Sequence, residues 1–417
     1  MKRIADKYFR DLPTEVIVIT TVAFCVALGF GIVAPVVPLF AQSFGVSAFA
    51  ASAVISLFAL MRFVSATPSG WMVNRFGERW VLGVGLSIVA ISSVLAGCAQ
   101  TYTQLIVLRG LGGTGSAMFT VSAMSLLLRT VDQEHRGRAT SLYQSGFLFG
   151  GLAGPAVGGL VVGLSIRAPF FVYAGTLTLA VIATVVGLPK GLGHPKLDAN
   201  REIEDATPAM ELNEALKQRN YWTALSINLT TGITIFGLRS SLIPIFVIEA
   251  LHQDAQVASL GFLISSITQA LLLLPVGNFS DTRGRKQPLV IGAVLLCLSL
   301  VVLIFDHSMT MFIVSMVLMG AASAFLGSTP TAVVGDIVGH RRGGQVVGVY
   351  QMMSDLGIVI GPLIAGFLRD TTGGFAWPFA LSLLISIMTL LLTARMHDHK
   401  QKVARPGSDQ SHPTTVA

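Results

Sequence analysis

The stretch Gly70-Trp71-Met72-Val73-Asn74-Arg75-Phe76-Gly77-Glu78-Arg79 decides how the rest of the chain is read, because it occurs twice. Its echo, GNFSDTRGRK, runs from Gly277 through Asp281, Gly284 and Arg285 to Lys286. The glycines keep one spacing: 277 − 70 = 207 and 284 − 77 = 207. Gly154-Pro155 returns at that spacing as Gly361-Pro362, and Tyr143-Gln144 as Tyr350-Gln351. Features sharing a single offset describe a duplicated unit roughly half the chain long.

Composition says where such a unit lives. Of 417 residues, 53% are hydrophobic and 12% charged, half the roughly 25% of an ordinary soluble domain. With a mean hydropathy of +0.72 there is too little polar surface to coat a globule, which points to a protein that crosses the bilayer many times. The net charge of +7 does not call for nucleic acid, because the basic residues sort by side of the membrane. Cys25, Cys98 and Cys297 lie far apart in apolar runs and form no metal or disulfide pattern. The first apolar segment is too long for the core of a cleaved signal and is expected to stay as a span.

Twelve apolar runs approach the ~20 residues that a spanning helix needs. Six lie at about 16–41, 49–74, 80–100, 103–128, 139–163 and 168–189. Six more lie at about 221–249, 256–280, 287–306, 309–335, 343–368 and 373–394. The expected fold is therefore an all-α membrane protein of twelve transmembrane helices, in two six-helix bundles related by a pseudo-two-fold axis. Residues 1–189 form one bundle and 221–395 the other, with a linker at 190–220 and a polar tail at 396–417. Thr207-Pro208 is a good helix start and predicts a short surface helix to about Lys217. Alternating the loops puts 23 lysines and arginines on one side, Arg167 and Arg369 on the other, and three arginines inside spans. By the positive-inside rule the basic side, with both termini and the linker, is cytoplasmic.

These residues resemble the major facilitator superfamily, and within it the twelve-span drug:proton antiporters. The family's loop signature, G-x-x-x-D-R-x-G-R-R/K, is matched at Gly70, Arg75, Gly77 and Arg79. It is broken at Asn74, where Asp is usual, and at Glu78, where a base is usual. The second copy keeps Gly277, Asp281, Gly284, Arg285 and Lys286. The antiporter pattern of span 5, G-x3-G-P-x2-G-G, is complete at Gly150, Gly154, Pro155, Gly158 and Gly159. Arg109 resembles the family's span-4 arginine, although the usual Gln after it is Gly112; Pro35 and Pro38 match the Pro-x-x-Pro of span 1.

The resemblance implies a latch that sets Asp281 near Arg136, Arg138 and the start of span 5, where a helix N-terminus favours negative charge. Such a latch closes one side of a central cavity and breaks when that side opens; the alternative is a plain positive-inside signal. Asn74 cannot supply charge to the matching latch at span 11. Gly150, Gly154, Pro155 and Gly158-Gly159, repeated at Gly357, Gly361-Pro362 and Gly366, make smooth strips for close packing. Such strips either hold helices together or also seal the halves against ion leak. Charges inside spans are costly and therefore informative. They are Arg62, Arg109, Arg239 and Asp355. Asp355 is the deep carboxylate that proton coupling requires, unless it forms a static pair with an arginine. Three arginines to one carboxylate leave a positive interior, which hints at an anionic ligand. Phe30, Phe119, Asn228 and Phe236, on spans that line the cavity in this family, are ligand candidates or plain packing residues.

Several weaker signals fail. GLGGTG at 110–115 fits G-x-G-x-x-G but sits in a span, not after a strand. No G-x-x-x-x-G-K-[ST] points to an ATP-driven pump. Asn228-Leu229-Thr230 is a sequon inside a span, and His397 and His399 make only a weak metal hint. The expectation is a secondary transporter, not an enzyme, with no cofactor or metal. Alternating access would export small amphipathic compounds, coupled to protons. An anionic-metabolite carrier is the alternative, and a receptor or scaffold on the same fold a third. The partners expected are a small-molecule substrate, protons and the lipid bilayer. The chain is expected to be monomeric, in a bacterial cytoplasmic membrane.

Overall fold

The computed structural model describes residues 13–131, 136–189, 210–305, 308–338 and 344–396, and only the backbone at 128, 136–138, 141, 281 and 344. Twelve helical spans lie among the described residues. Spans 2 to 6 are Ala48–Phe76, Glu78–Gly97, Tyr102–Thr130, Arg136–Val162 and Ala168–Gly187. Spans 8 to 12 are Ala255–Arg283, Lys286–Phe305, Met309–Val338, Gly344–Thr372 and Ala376–Ala394. Span 1 is interrupted. Thr14–Val33 ends before Pro35, and a short helix, Val37–Gln42, completes it. Span 7 runs from Arg219 to Glu249 but widens into a π-helical turn over Gly232–Leu238.

Spans 2, 4, 8, 10 and 11 outrun their apolar runs. Spans 2 and 11 are 29 residues each, ~43 Å at 1.5 Å per residue, so their ends project beyond a ~30 Å hydrocarbon layer. Hydropathy marks the lipid-facing part, whereas caps mark the helix ends. Ser47 Oγ accepts from Ala50 N at the start of span 2. Gly77 closes that span at φ 85° and Gly284 closes span 8 at φ 92°, a left-handed backbone that favours glycine. The linker helix spans Leu212–Leu216, ending at Lys217 as expected, with Glu211 extended at its start. Thr207-Pro208 lies outside the described residues.

The duplication is visible in the packing. Span 1 rests on span 5 as span 7 rests on span 11; spans 2 and 3 flank span 4 as spans 8 and 9 flank span 10. The halves meet through spans 2 and 11 and, symmetrically, through spans 8 and 5. The GLGGTG glycines serve this packing. They lie within span 4, where a β-carbon on Gly115 would fall 2.9 Å from Val89 and one on Gly110 would meet Leu57.

Most of each Gly-Pro strip packs inside its own half, while Gly159 and its repeat mate Gly366 face the other half. A β-carbon on Gly154 would lie 2.6 Å from Gly31 Cα, and one on Gly158 2.9 Å from Ile32 O. Gly361 meets Ile233 likewise, at 2.8 Å from its carbonyl, and Pro362 abuts Gly237 in the π turn. Four-residue spacing keeps Gly150, Gly154 and Gly158 on the face that holds span 1. Gly159 is turned away from it, and its β-carbon would approach Ser259 of the other half. Gly154→Val is therefore expected to lower the midpoint of thermal unfolding by several degrees, by overpacking worth ~1–3 kcal/mol. Gly151→Val, where a β-carbon meets nothing within 4 Å, should leave it unchanged in the same fluorescence-detected melt.

Candidate functional site

The seam between spans 2 and 11 carries the deepest charge pair. Arg62 Nη2 donates to Asp355 Oδ1 across the two halves. Both lie near the middle of their helices, and their side chains are 32% and 26% exposed. The pair is thus only partly buried, and each charge has the partner that makes intramembrane charge tolerable. Its partnership follows from register. Asp370 meets Ala48 at one end of the antiparallel seam. Moving 62 − 48 = 14 residues along span 2 and 370 − 355 = 15 along span 11 brings Arg62 to Asp355.

The other two arginines have no carboxylate partner among the described residues. Arg109 is 4% exposed, its guanidinium 4.7 Å above the Phe58 ring and its Nε without an acceptor. Arg239, at the end of the π turn, donates Nη1 to Ser265 Oγ at 3.0 Å and lies 5.2 Å over Phe262; its Nε is also unmatched. Phe58 and Ser265 are themselves 265 − 58 = 207 apart. Each half therefore holds an arginine head at the same level of its second helix, delivered from span 4 in one and span 7 in the other. Cation–π contacts of this kind are worth ~0.5–2 kcal/mol, which offsets part of the cost of burying each base.

The face opposite the basic loops is clasped. Gln42 Nε2 donates to Glu249 Oε1 at 2.9 Å, between residues separated by 207, the offset of the repeat. A residue can touch its own repeat mate only near the pseudo-two-fold axis, so the ends of spans 1 and 7 meet there. Arg369 Nη2 donates to Glu249 Oε2. Asp370 Oδ1 and Oδ2 accept from Ala48 N at 3.0 Å and Phe49 N at 2.8 Å. Span 2 is thereby capped by a carboxylate from the other half, which satisfies two of its orphan N–H groups. A β-carbon on Gly366 would lie 2.7 Å from Phe49 Cα. None of these contacts was singled out in the sequence. Asp370→Ala is expected to cost the clasped arrangement ~1 kcal/mol, a typical cap loss. A cysteine reagent at Phe49→Cys should then react about fivefold faster than in the parent variant.

Of the ligand candidates, Phe30 and Phe236 are exposed side chains. Phe119 is buried, 6.1 Å from the Phe147 ring. Asn228 Nδ2 donates to Tyr350 O at 2.6 Å, tying span 7 to span 11. The last two therefore act as packing contacts within their halves.

At the basic face, Gly70 and Gly277 border empty space and Asn74 and Arg75 are exposed. Arg75 lies 5.2 Å over Trp71 and 5.6 Å over Phe76, and Arg79 Nη2 donates to Val185 O at 2.7 Å. Lys286 opens span 9. The side chains of Asp281, Arg136 and Arg138 lie outside the described residues.

Two stretches, residues 19–252 and 231–416, match the pattern of the Major Facilitator Superfamily. The chain belongs to that family. It is a membrane transporter rather than an enzyme. It is 24% identical to an uncharacterized MFS-type transporter of Methanocaldococcus jannaschii, over 92% of this chain and 98% of that one. It is 26% identical to multidrug resistance protein 1 of Bacillus subtilis, over 91% and 96%. The fold also resembles a solved bacterial homologue of the human lysosomal transporter Spinster, with TM-score 0.70 at 15% identity, covering 91% of this chain and 94% of that one.

Within the superfamily signature, Glu78 is an inversion rather than a loss. It is fully buried, and its Oε1 accepts from Arg129 Nε and Ser125 Oγ, each at 2.9 Å. The repeat mates of Glu78 and Arg129 are Arg285 and Asp336, since 285 − 78 = 207 and 336 − 129 = 207. Those mates also pair, Arg285 Nε to Asp336 Oδ2 at 2.9 Å. One bridge between the signature loop and the following span thus exists in both halves with its signs exchanged. Glu78 looked like a departure because its compensating change lies 51 residues away.

Proposed function

We propose that the protein exports small amphipathic compounds from the cell in exchange for protons, with its basic face cytoplasmic. The observation that carries this reading is the Arg62–Asp355 pair, which joins the two halves at mid-span. Protonation of Asp355 removes its charge, weakens the bond between spans 2 and 11, and frees the halves to separate. Deprotonation restores it. A titratable carboxylate that is also an inter-half tie couples proton occupancy to conformation.

The clasp at the opposite face, with Gly70 and Gly277 bordering open space, fits a conformation sealed outside and accessible from the cytoplasm. Asp281 with Arg136, Arg138 and the start of span 5 would form the cytoplasmic latch of the alternate state, on the pattern of the repeated signature. The multidrug resistance name borne by a relative matched along nearly its whole length supports an amphipathic, loosely specified substrate.

A second reading rests on Arg109 and Arg239, buried bases without a carboxylate partner among the described residues. They favour an anionic ligand carried by the same machinery. Proteoliposomes with an imposed pH gradient distinguish the two. Ethidium-driven proton release supports the export of amphipathic cations, and release driven by an aromatic carboxylate supports the anion carrier. Gradient-insensitive flux of both contradicts proton coupling.

A further inference from the structure

We propose that the cytoplasmic ends of spans 2 and 3, with the middle of span 4, form a binding site for one anionic phospholipid. Its phosphate would rest on Arg75 and one acyl chain would enter the cleft behind. A cavity of about 400 Å³ opens here, lined by Met72, Arg75, Trp80, Val81, Val84 and Met118. Its floor is apolar and its rim carries one cation. Arg75 has ring contacts to Trp71 and Phe76 and no carboxylate partner among the described residues. Its neighbours are engaged: Arg79 with Val185 O and Glu78 with Arg129.

Direction decides the occupant. Arg62 marks the side of span 2 that meets span 11. Trp71 follows nine residues later, two and a half helical turns on, so it points the opposite way, towards lipid. Arg75 lies one turn beyond Trp71 on nearly the same side. Met72 and the buried Val81 and Met118 form the inner wall of the cleft, whereas Arg75, Phe76, Trp80 and Val84 at its edge are exposed. The mouth therefore faces the bilayer rather than the other half. Trp80 at its edge is 71% exposed, and tryptophan favours the headgroup level of a membrane. A cation at that level attracts the anionic lipids of its leaflet, with ~1 kcal/mol per arginine.

The fold does not require this site. At the repeat offset of 207, Trp71, Arg75, Trp80 and Val81 are replaced by Asn278, Thr282, Gln287 and Pro288. The second half thus lacks both the indoles and the equivalent base, and the site belongs to one half alone.

The test uses the full chain in mixed bilayers, with Trp222→Phe and Trp377→Phe leaving Trp71 and Trp80 as the emitting indoles. Brominated phosphatidylglycerol is expected to quench them at about one fifth of the mole fraction required of brominated phosphatidylcholine, the factor one basic contact supplies. Arg75→Gln should abolish the difference. Val84→Phe, which fills the cleft but spares the base, should also reduce it. Equal quenching by the two lipids, or a preference that survives Arg75→Gln, overturns the proposal. So does displacement by millimolar glycerol phosphate, which would assign the rim to a soluble anion. Retention of the full preference in Val84→Phe would remove the acyl-chain half of the claim.

Discussion

Glu78→Arg is expected to strip the membrane of most folded protein, although it restores the basic residue usual at that position of the signature. Glu78 has no solvent exposure, and its carboxylate is held by Arg129 and Ser125 in the first turn of span 3, where the helix dipole favours negative charge. An arginine there opposes the dipole and faces a second guanidinium. Breaking a buried pair in this way costs ~3–5 kcal/mol, a large share of a domain's ~5–15 kcal/mol. The double exchange Glu78→Arg with Arg129→Asp recreates the polarity of Arg285 and Asp336 and should recover much of the loss. Monodisperse yield and thermal unfolding midpoint measure both variants. A Glu78→Arg protein as stable as wild type, or a double variant no better than the single, would contradict the inverted-bridge account.

The second large effect belongs to Asp355. Asp355→Asn keeps the shape and a hydrogen-bonding group beside Arg62 but can neither bind nor release a proton. Substrate-driven proton movement in proteoliposomes is expected to fall at least about tenfold, while substrate binding and folding persist. A static structural pair predicts another pattern: Asp355→Asn would lower stability and leave the stoichiometry of residual transport intact. Arg62→Lys, which keeps the charge but not the guanidinium geometry, should retain proton coupling with altered rate. Full coupled transport by Asp355→Asn would move the proton site elsewhere.

How much of this was legible in the chain depends on what each contact is made of. The repeat was readable because four glycines share one offset, and two of them, Gly77 and Gly284, adopt the positive φ that favours glycine. The intramembrane charges were readable because an arginine in an apolar run is costly wherever it points. The pairing of Arg62 with Asp355 was less so, since it depends on the register of two helices 293 residues apart. The outer clasp was hidden for the opposite reason. Gln42, Glu249, Arg369 and Asp370 sit where spans end, and polar residues are ordinary there. The Glu78 inversion needed both halves compared twice, once along the signature and once along the next span. Phe119 and Asn228 illustrate a limit of helix assignment: it places residues on a cavity-lining span without fixing which way they turn.

The central claim is that two similar six-helix bundles rock so that closing one face opens the other. Paired spin labels test it most directly, with one pair at positions 49 and 371 across the clasped face and another at 74 and 348 across the basic face. Distances would be measured at two pH values with and without substrate. The account predicts opposite changes, the first pair lengthening as the second shortens. Two distances that stay fixed during turnover, or that lengthen together, would contradict it.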